Sequence, residues 1–195
     1  RYQKIIEESP SPYVTDSLRE KLTSDAQKLC KEIGYQNAGT VEFLVDSDGN
    51  HYFLEVNARL QVEHPVTEMV TSIDLVKQQL LIAMGLPLTL SQKDVKMNGH
   101  ALECRIYAEN PQNNFLPAPG KILSVQWPNE SLARTDSWFN DSVEILPNFD
   151  PMLAKIITHA PTRLYAIEKM NRALQSTLLI GSVNNIWYLK SILEN

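Results

Sequence analysis

The chain has 195 residues, 43% of them hydrophobic and 21% charged, with a formal net charge of −5. That length suits one large or two small globular domains, and the acidic balance argues against a nucleic-acid face. No apolar run approaches a membrane span, RYQKIIEE carries no signal-peptide pattern, and Cys30 and Cys104 lack metal-ligand spacing and the numbers for a disulfide framework, so buried thiols in a reducing compartment are expected.

Residues 1–13 read as an extended lead-in with prolines at 10 and 12. Thr15 or Ser17 is expected to cap a helix, Ser17 and Glu20 having capping-box spacing. Its apolar stripe is Leu18, Leu22, Ala26, Leu29 and Ile33, and Gly34 ends it. In AGTVEFLVDSDGNHYFLEVN, two β-branched and aromatic runs flank Ser47-Asp48-Gly49-Asn50, a strong hairpin signal. With Asp46 opposite His51, the register sets Val45 against Tyr52, Leu44 against Phe53 and Glu42 against Glu55.

The most chemical stretch is Glu55 to Glu68, EVNARLQVEHPVTE. Glu55, Asn57, Arg59, Gln61 and Glu63 alternate with the apolar Val56, Ala58, Leu60 and Val62. If extended, the odd residues line one face over roughly 25–30 Å. Two directly opposed carboxylates, Glu42 and Glu55, repel unless a cation sits between them. Hard divalent ions take oxygen ligands, so these two with Asn57 read as a Mg²⁺-nucleotide site. The competing reading is a protonated or solvent-exposed acid pair, on an ordinary solvated strand face.

Asp74 to Met84 reads as a second apolar helix, stopped by Gly85 and Pro87. From about Asn98 the rhythm changes to short strands, HALECRIYAE, KILSVQW, LARTDSW and AKIITHA, separated by proline-containing turns. A helix capped at Pro161-Thr162 carries Leu164, Ile167, Met170, Leu174 and Leu178, and a short last helix carries Ile186, Leu189 and Leu193. A boundary is expected between Gly85 and Asn98.

The strand pair and NARLQVEHPVTEMV closely resemble the biotin carboxylase component of biotin-dependent carboxylases, a branch of the ATP-grasp enzymes. Glu55, Asn57 and Arg59 alone resemble a wider ATP-grasp pattern, shared with carbamoyl-phosphate synthetases; the continuation through Gln61, Val62, Glu63, His64 and Pro65 is more diagnostic. QKIIEESPSP, GHALECRIYAENP, NFLPAPGKI and FDPMLAKIITHAPTR extend the resemblance over nearly the whole chain. It implies an α+β fold, with residues 1–90 as the C-terminal half of an ATP-grasp domain and 97–195 as the family's C-terminal domain, an antiparallel sheet covered by helices. It also implies that an N-terminal domain and a glycine-rich lid half would precede Arg1, so the chain reads as a fragment that does not turn over by itself.

The activity implied is carboxylation of biotin from bicarbonate and MgATP through carboxyphosphate. The cofactors are then ATP, Mg²⁺ (or Mn²⁺) and biotin, with Glu42, Glu55 and Asn57 as metal ligands. The resemblance places bicarbonate on Arg59 with Gln61, the backbone N–H of Val62 and Lys4, makes Glu63 the general base, and gives Arg105 the charge that develops on the biotin ureido oxygen. From the residues alone, Arg59 could be a surface ion pair, and Arg105, sharing a strand face with Glu103 and Tyr107, a cross-strand one. Tyr2 stands where the family commonly has a ribose-contacting histidine and is not taken as a site residue.

His64 is read as part of the strand exit, and His51, His100 and His159 as too dispersed for a zinc site. Trp127, Trp138 and Trp187 read as core or interface aromatics, and Met69, Met84, Met152 and Met170 as apolar-stripe residues. RTDSWF, FDPMLAKIITHAPTR and YLKSILEN look more like the urea carboxylase branch than the acetyl-CoA carboxylase branch. The implied partners are a biotinylated carrier, a carboxyltransferase, the N-terminal half and a second copy, with no nucleic acid or membrane, in the cytoplasm or mitochondrion. Two alternatives stay open: an ATP-grasp ligase that activates bicarbonate without biotin, and a module serving mainly assembly.

Overall fold

In a computed structural model, which describes residues 4–194, the lead-in contains a strand, β1 (Ile6–Ser9). Tyr2 lies outside the described residues. The next elements are α1 (Asp16–Glu32), β2 (Thr40–Val45), β3 (His51–Asn57), α2 (His64–Thr71) and α3 (Leu75–Ala83). Residues 10–97 form one compact unit; residues 98–194, with those up to Ser9, form the other.

In the first unit α1 is capped by Thr15, whose side chain accepts from the Leu18 N–H at 3.3 Å, so Ser17 does not cap it. Of the expected stripe only Leu18 is buried; Ile33 is exposed. Gly34, at φ 62°, takes the left-handed turn that stops the helix. α3 is capped by Asp74, which accepts from Lys77 N–H at 2.7 Å.

The β2–β3 hairpin departs from the expected register at its turn. Asp46 N–H donates to Asn50 at 3.0 Å, which closes a three-residue loop with Gly49 at φ 80°. Val45 therefore faces His51 and Leu44 faces Tyr52, one residue off the expectation. A bulge at Leu54, between the Phe43–Phe53 and Glu42–Glu55 pairs, absorbs the offset, so Glu42 does face Glu55. Leu44, Tyr52, Phe53 and Leu54 are each more than half exposed, so this hairpin is not a self-contained core.

The expected strand through Glu63 ends at Asn57. β2 offers no partner beyond Thr40, which faces Asn57, and Pro65 sits in the first turn of α2, a helix that the sequence reading missed. Residues 55–63 therefore do not line a single extended face.

The second unit is built on β4 (His100–Tyr107), followed by β5 (Glu109–Asn110), β6 (Leu116–Pro117), β7 (Gly120–Ile122), β8 (Ser124–Gln126), β9 (Arg134–Ser137), β10 (Val143–Ile145) and β11 (Met152–Ala160). The chain closes with α4 (Arg163–Ser176), β12 (Leu178–Ile180) and α5 (Ile186–Leu193). β1, β4, β11 and β9 make a four-stranded antiparallel sheet in that order, and three two-stranded ladders surround it. Leu178 belongs to β12 rather than to the helix, because Thr177 turns extended at the C-cap and its hydroxyl donates to the Ala173 carbonyl at 2.8 Å.

Strand alternation gives the sheet two unlike faces. Leu102, Cys104, Ile106, Ala154 and Ile156 pack with Met170, Ala173, Leu174 and Leu189 in the core under α4 and α5. Burial pushes the Cys104 thiol far above its ordinary pKa, so it is an inert core group. Trp138 and Trp187 are at least half exposed and are not core residues. Among the described residues, no helix is long and apolar enough to cross a membrane.

Candidate functional site

The hairpin and the loop after it bring five of the expected residues into one hydrogen-bonded set. Asn57 Nδ2 donates to Glu42 Oε1 at 2.9 Å and to Glu55 Oε1 at 3.0 Å. Gln61 Nε2 donates to the same Glu42 oxygen, and Arg59 Nη2 donates to Asn57 Oδ1 at 3.3 Å. The loop achieves by folding back what a straight strand would have spread out.

Two supports hold the loop. Arg59 Nη1 donates to the Leu60 carbonyl at 3.2 Å, and His64 N–H donates to the Gln61 carbonyl at 3.3 Å, with His64 Nδ1 2.8 Å from the same oxygen. His64 thus braces the loop from the start of α2 rather than from a strand exit. Val62 and Glu63 form the turn into α2; Glu63 stands at its N-cap position, and its carbonyl accepts from Val66 N–H at 3.2 Å.

The geometry suits a hard cation. An amide N–H group points between two opposed carboxylates, supplying the positive end of a dipole where a full charge would bind. Turning the Asn57 amide about its Cβ–Cγ bond would present Oδ1 instead, completing an all-oxygen donor set. Two carboxylates and an amide are few ligands, which is how Mg²⁺ is held when water and phosphates complete its shell. Among the described residues, no group of three or more His, Cys, Asp or Glu could hold a metal.

Lys4 and Arg105 belong to the other unit. Lys4 is exposed and precedes Ile5, whose carbonyl accepts from Arg105 N–H at 3.0 Å. Arg105 lies on the polar face of β4 with a side chain 11% exposed; Nη2 is 3.0 Å from Glu7 Oε1, and Nε is 3.8 Å from Glu103 Oε1. The expected cross-strand ion pair is therefore present, with Glu7 of β1 as the nearer acid. Sequence reasoning placed Glu103 and Tyr107 beside Arg105 but missed Glu7, whose signal was its place in the IEES run.

The same face continues across the sheet. Lys155 of β11 faces Arg105, and Asp136 of β9 faces Lys155. Asp136 lies 3.5 Å from Lys155 Nζ and 2.7 Å from Arg134 Nε. Burial pulls the Lys155 ammonium below its ordinary pKa, against the opposing fields of Glu103 and Asp136. Burial likewise raises Tyr107, outweighing its hydrogen bond with Arg105.

Two family models match the chain: "Carbamoyl-phosphate synthase L chain, ATP binding domain" over residues 1–91, and "Biotin carboxylase C-terminal domain" over residues 103–195. The chain belongs to the biotin carboxylase family. Biotin carboxylase 2 of Bacillus subtilis is 51% identical over 186 residues, which cover 95% of this chain and 42% of that protein. The biotin carboxylase of Haemophilus influenzae is 47% identical over the whole chain and 43% of its own length. The chain thus spans less than half of these relatives.

Solved biotin carboxylase structures superpose closely. The biotin carboxylase domain dimer of Hydrogenobacter thermophilus 2-oxoglutarate carboxylase, in complex with MgADP, ADP and bicarbonate, matches with a TM-score of 0.96 at 42% identity, over 100% of this chain and 43% of that one. Kluyveromyces lactis urea carboxylase matches with 0.94 at 44% identity, over 99% of this chain and 17% of that one. The α+β architecture expected from the sequence, part of an ATP-grasp domain followed by a biotin carboxylase C-terminal domain, is the one found.

Proposed function

We propose that this chain supplies the bicarbonate-binding, proton-abstracting and biotin-directed residues of a biotin carboxylase that uses MgATP. The observation that supports this reading most is the single set joining Glu42, Glu55, Asn57, Arg59 and Gln61 by hydrogen bonds. A purely structural strand face has no need of two opposed acids, two amides and a guanidinium in one network.

In this reading Glu42, Glu55 and Asn57 hold Mg²⁺ (or Mn²⁺), which when bound neutralises phosphate charge. Arg59 offers its planar fork to bicarbonate, assisted by Gln61, the Val62 N–H and Lys4. Glu63 removes the bicarbonate proton as an oxygen of that anion attacks the γ-phosphorus and ADP leaves, giving carboxyphosphate. The carboxyl–phosphate C–O bond then breaks as the carboxyl group passes to a ureido nitrogen of biotin, the departing phosphate takes the proton of that N–H, and Arg105 stabilises the negative charge on the ureido oxygen. The partners that follow are a biotinylated carrier, a carboxyltransferase component and a second copy. Identities of 44% with urea carboxylase and 46% with a pyruvate carboxylase biotin carboxylase subunit do not separate the final acceptors, so the proposal stops at biotin.

The test is fixation of radiolabelled bicarbonate by a polypeptide of full family length containing this chain. Label is expected on free biotin only with MgATP. Bicarbonate-dependent ATP cleavage without labelled biotin would instead favour a ligase that activates bicarbonate for another acceptor.

A further inference from the structure

The buried acid on the polar face of the sheet has no part in the chemistry derived so far. Glu103 is fully enclosed, and it shares this face with Arg105 and Lys155, each only 9% exposed. Arg105 and Lys155 are directly opposite one another in the β4–β11 register, and directly opposed like charges destabilise a sheet. In a buried setting, such a cation pair persists only if carboxylates are fixed beside it.

The acids present divide that work by position. Asp136 lies next to Lys155 and Arg134, on the far side of the sheet from β1. Glu7 holds the guanidinium at Nη2, at 3.0 Å. Glu103 lies 3.8 Å from Nε, on the same edge of the guanidinium, and is the diagonal neighbour of Lys155 in the β4–β11 register, so its charge acts on both cations. A planar guanidinium gripped at Nη2 and drawn at Nε has its plane set as well as its place.

We propose that Glu103 is a positioning residue for Arg105: its enclosed carboxylate fixes the guanidinium plane and offsets the Lys155 charge opposite it. Arg105 is then aimed before biotin arrives and needs no reorganisation when charge develops. This rests on the role given to Arg105 above, and it adds a residue that never touches the reacting atoms.

The experiment uses a full-length polypeptide containing this chain and measures two rates on each preparation: biotin carboxylation, and bicarbonate-dependent ATP cleavage without biotin. Their ratio is independent of the folded fraction, so a loss of stability alone does not move it. Glu103→Gln is expected to lower the ratio about 10- to 100-fold, the scale of a displaced catalytic group, mainly through kcat for biotin. Glu103→Asp, which keeps the charge, should recover a large part of it. In an Arg105→Ala background, Glu103→Gln should change the ratio no further.

An unchanged ratio in Glu103→Gln, with Arg105→Ala strongly reduced, overturns the inference and leaves the reading of Arg105 intact. The same holds if Glu103→Gln lowers the ratio equally with and without Arg105, or if it only lowers the unfolding temperature. An unchanged ratio in Arg105→Ala itself removes Arg105 from the transfer step and the inference with it.

Discussion

Replacing Glu42 by Gln separates the charge of the acid pair from its hydrogen bonds. Asn57 Nδ2 and Gln61 Nε2 both donate to Glu42 Oε1, so the carbonyl of a glutamine can keep both bonds. What is lost is one of two opposed negative charges. The Glu42 and Glu55 oxygens share the Asn57 nitrogen, which places them within about 6 Å of each other, a repulsion of ~0.7 kcal/mol in water-like surroundings and ~3 kcal/mol at an effective dielectric of 20. Glu55 is exposed, so the lower end applies, in line with about 0.2–1 kcal/mol for cross-strand charge pairs.

The metal-free 195-residue chain should therefore gain about 1–3 °C in unfolding temperature on Glu42→Gln. In a full-length polypeptide, the Mg²⁺ concentration that half-saturates bicarbonate-dependent ATP cleavage should rise by about tenfold or more. Thermal unfolding with and without Mg²⁺, and a Mg²⁺ titration of ATP cleavage, measure the two effects. A variant that is less stable without metal and has an unaltered Mg²⁺ requirement would refute the shared-cation reasoning.

Arg105→Ala should lower carboxyl transfer to biotin by about 10²–10³, with a smaller effect on bicarbonate-dependent ATP cleavage, whereas Arg59→Ala should damage both; equal losses in the two assays for Arg105→Ala contradict that division. Acid stability has a separate source in Glu8 of β1, which accepts from Arg163 Nε at 2.7 Å and lies 2.8 Å from His100 Nε2. Burial pushes this carboxyl up, but hydrogen bonds and charge from Arg163 and His100 outweigh it and leave the pKa below the ordinary 4.5. A depressed folded pKa gives stability that is complete above the unfolded value and lost as pH falls through the folded one. Glu8→Gln should thus flatten the fall in urea midpoint from about pH 4.5 downward, and a wild-type slope in the variant would show that Glu8 is not its source.

Elements governed by local chemistry were legible in the sequence. Thr162 caps α4 and Gly34 ends α1, because each needs only a side-chain oxygen or a left-handed residue at one position. The facing of Glu42 and Glu55 is legible too, but the turn beside it is not: a three-residue loop and a bulge shift the register in opposite senses, and an alternating sequence does not display either. The straight run through Glu63 failed because alternation reports which side a residue faces, while strand length depends on a partner strand, and β2 supplies none past Thr40. β10 and β12 have three residues each, too few for a periodic signal. The grip of Glu7 on Arg105 joins residues 98 positions apart, which no local pattern encodes.

Bicarbonate-dependent cleavage of MgATP by Glu63→Gln, set beside the wild type in one full-length polypeptide, tests the central claim most directly. Glutamine keeps the size of the side chain but cannot take the bicarbonate proton. The rate should fall by about 10²–10⁴, while nucleotide affinity, which depends on Glu42, Glu55 and Asn57 in this account, stays close to wild type. Near-normal bicarbonate-dependent cleavage by the variant would remove Glu63 as the base and contradict the account.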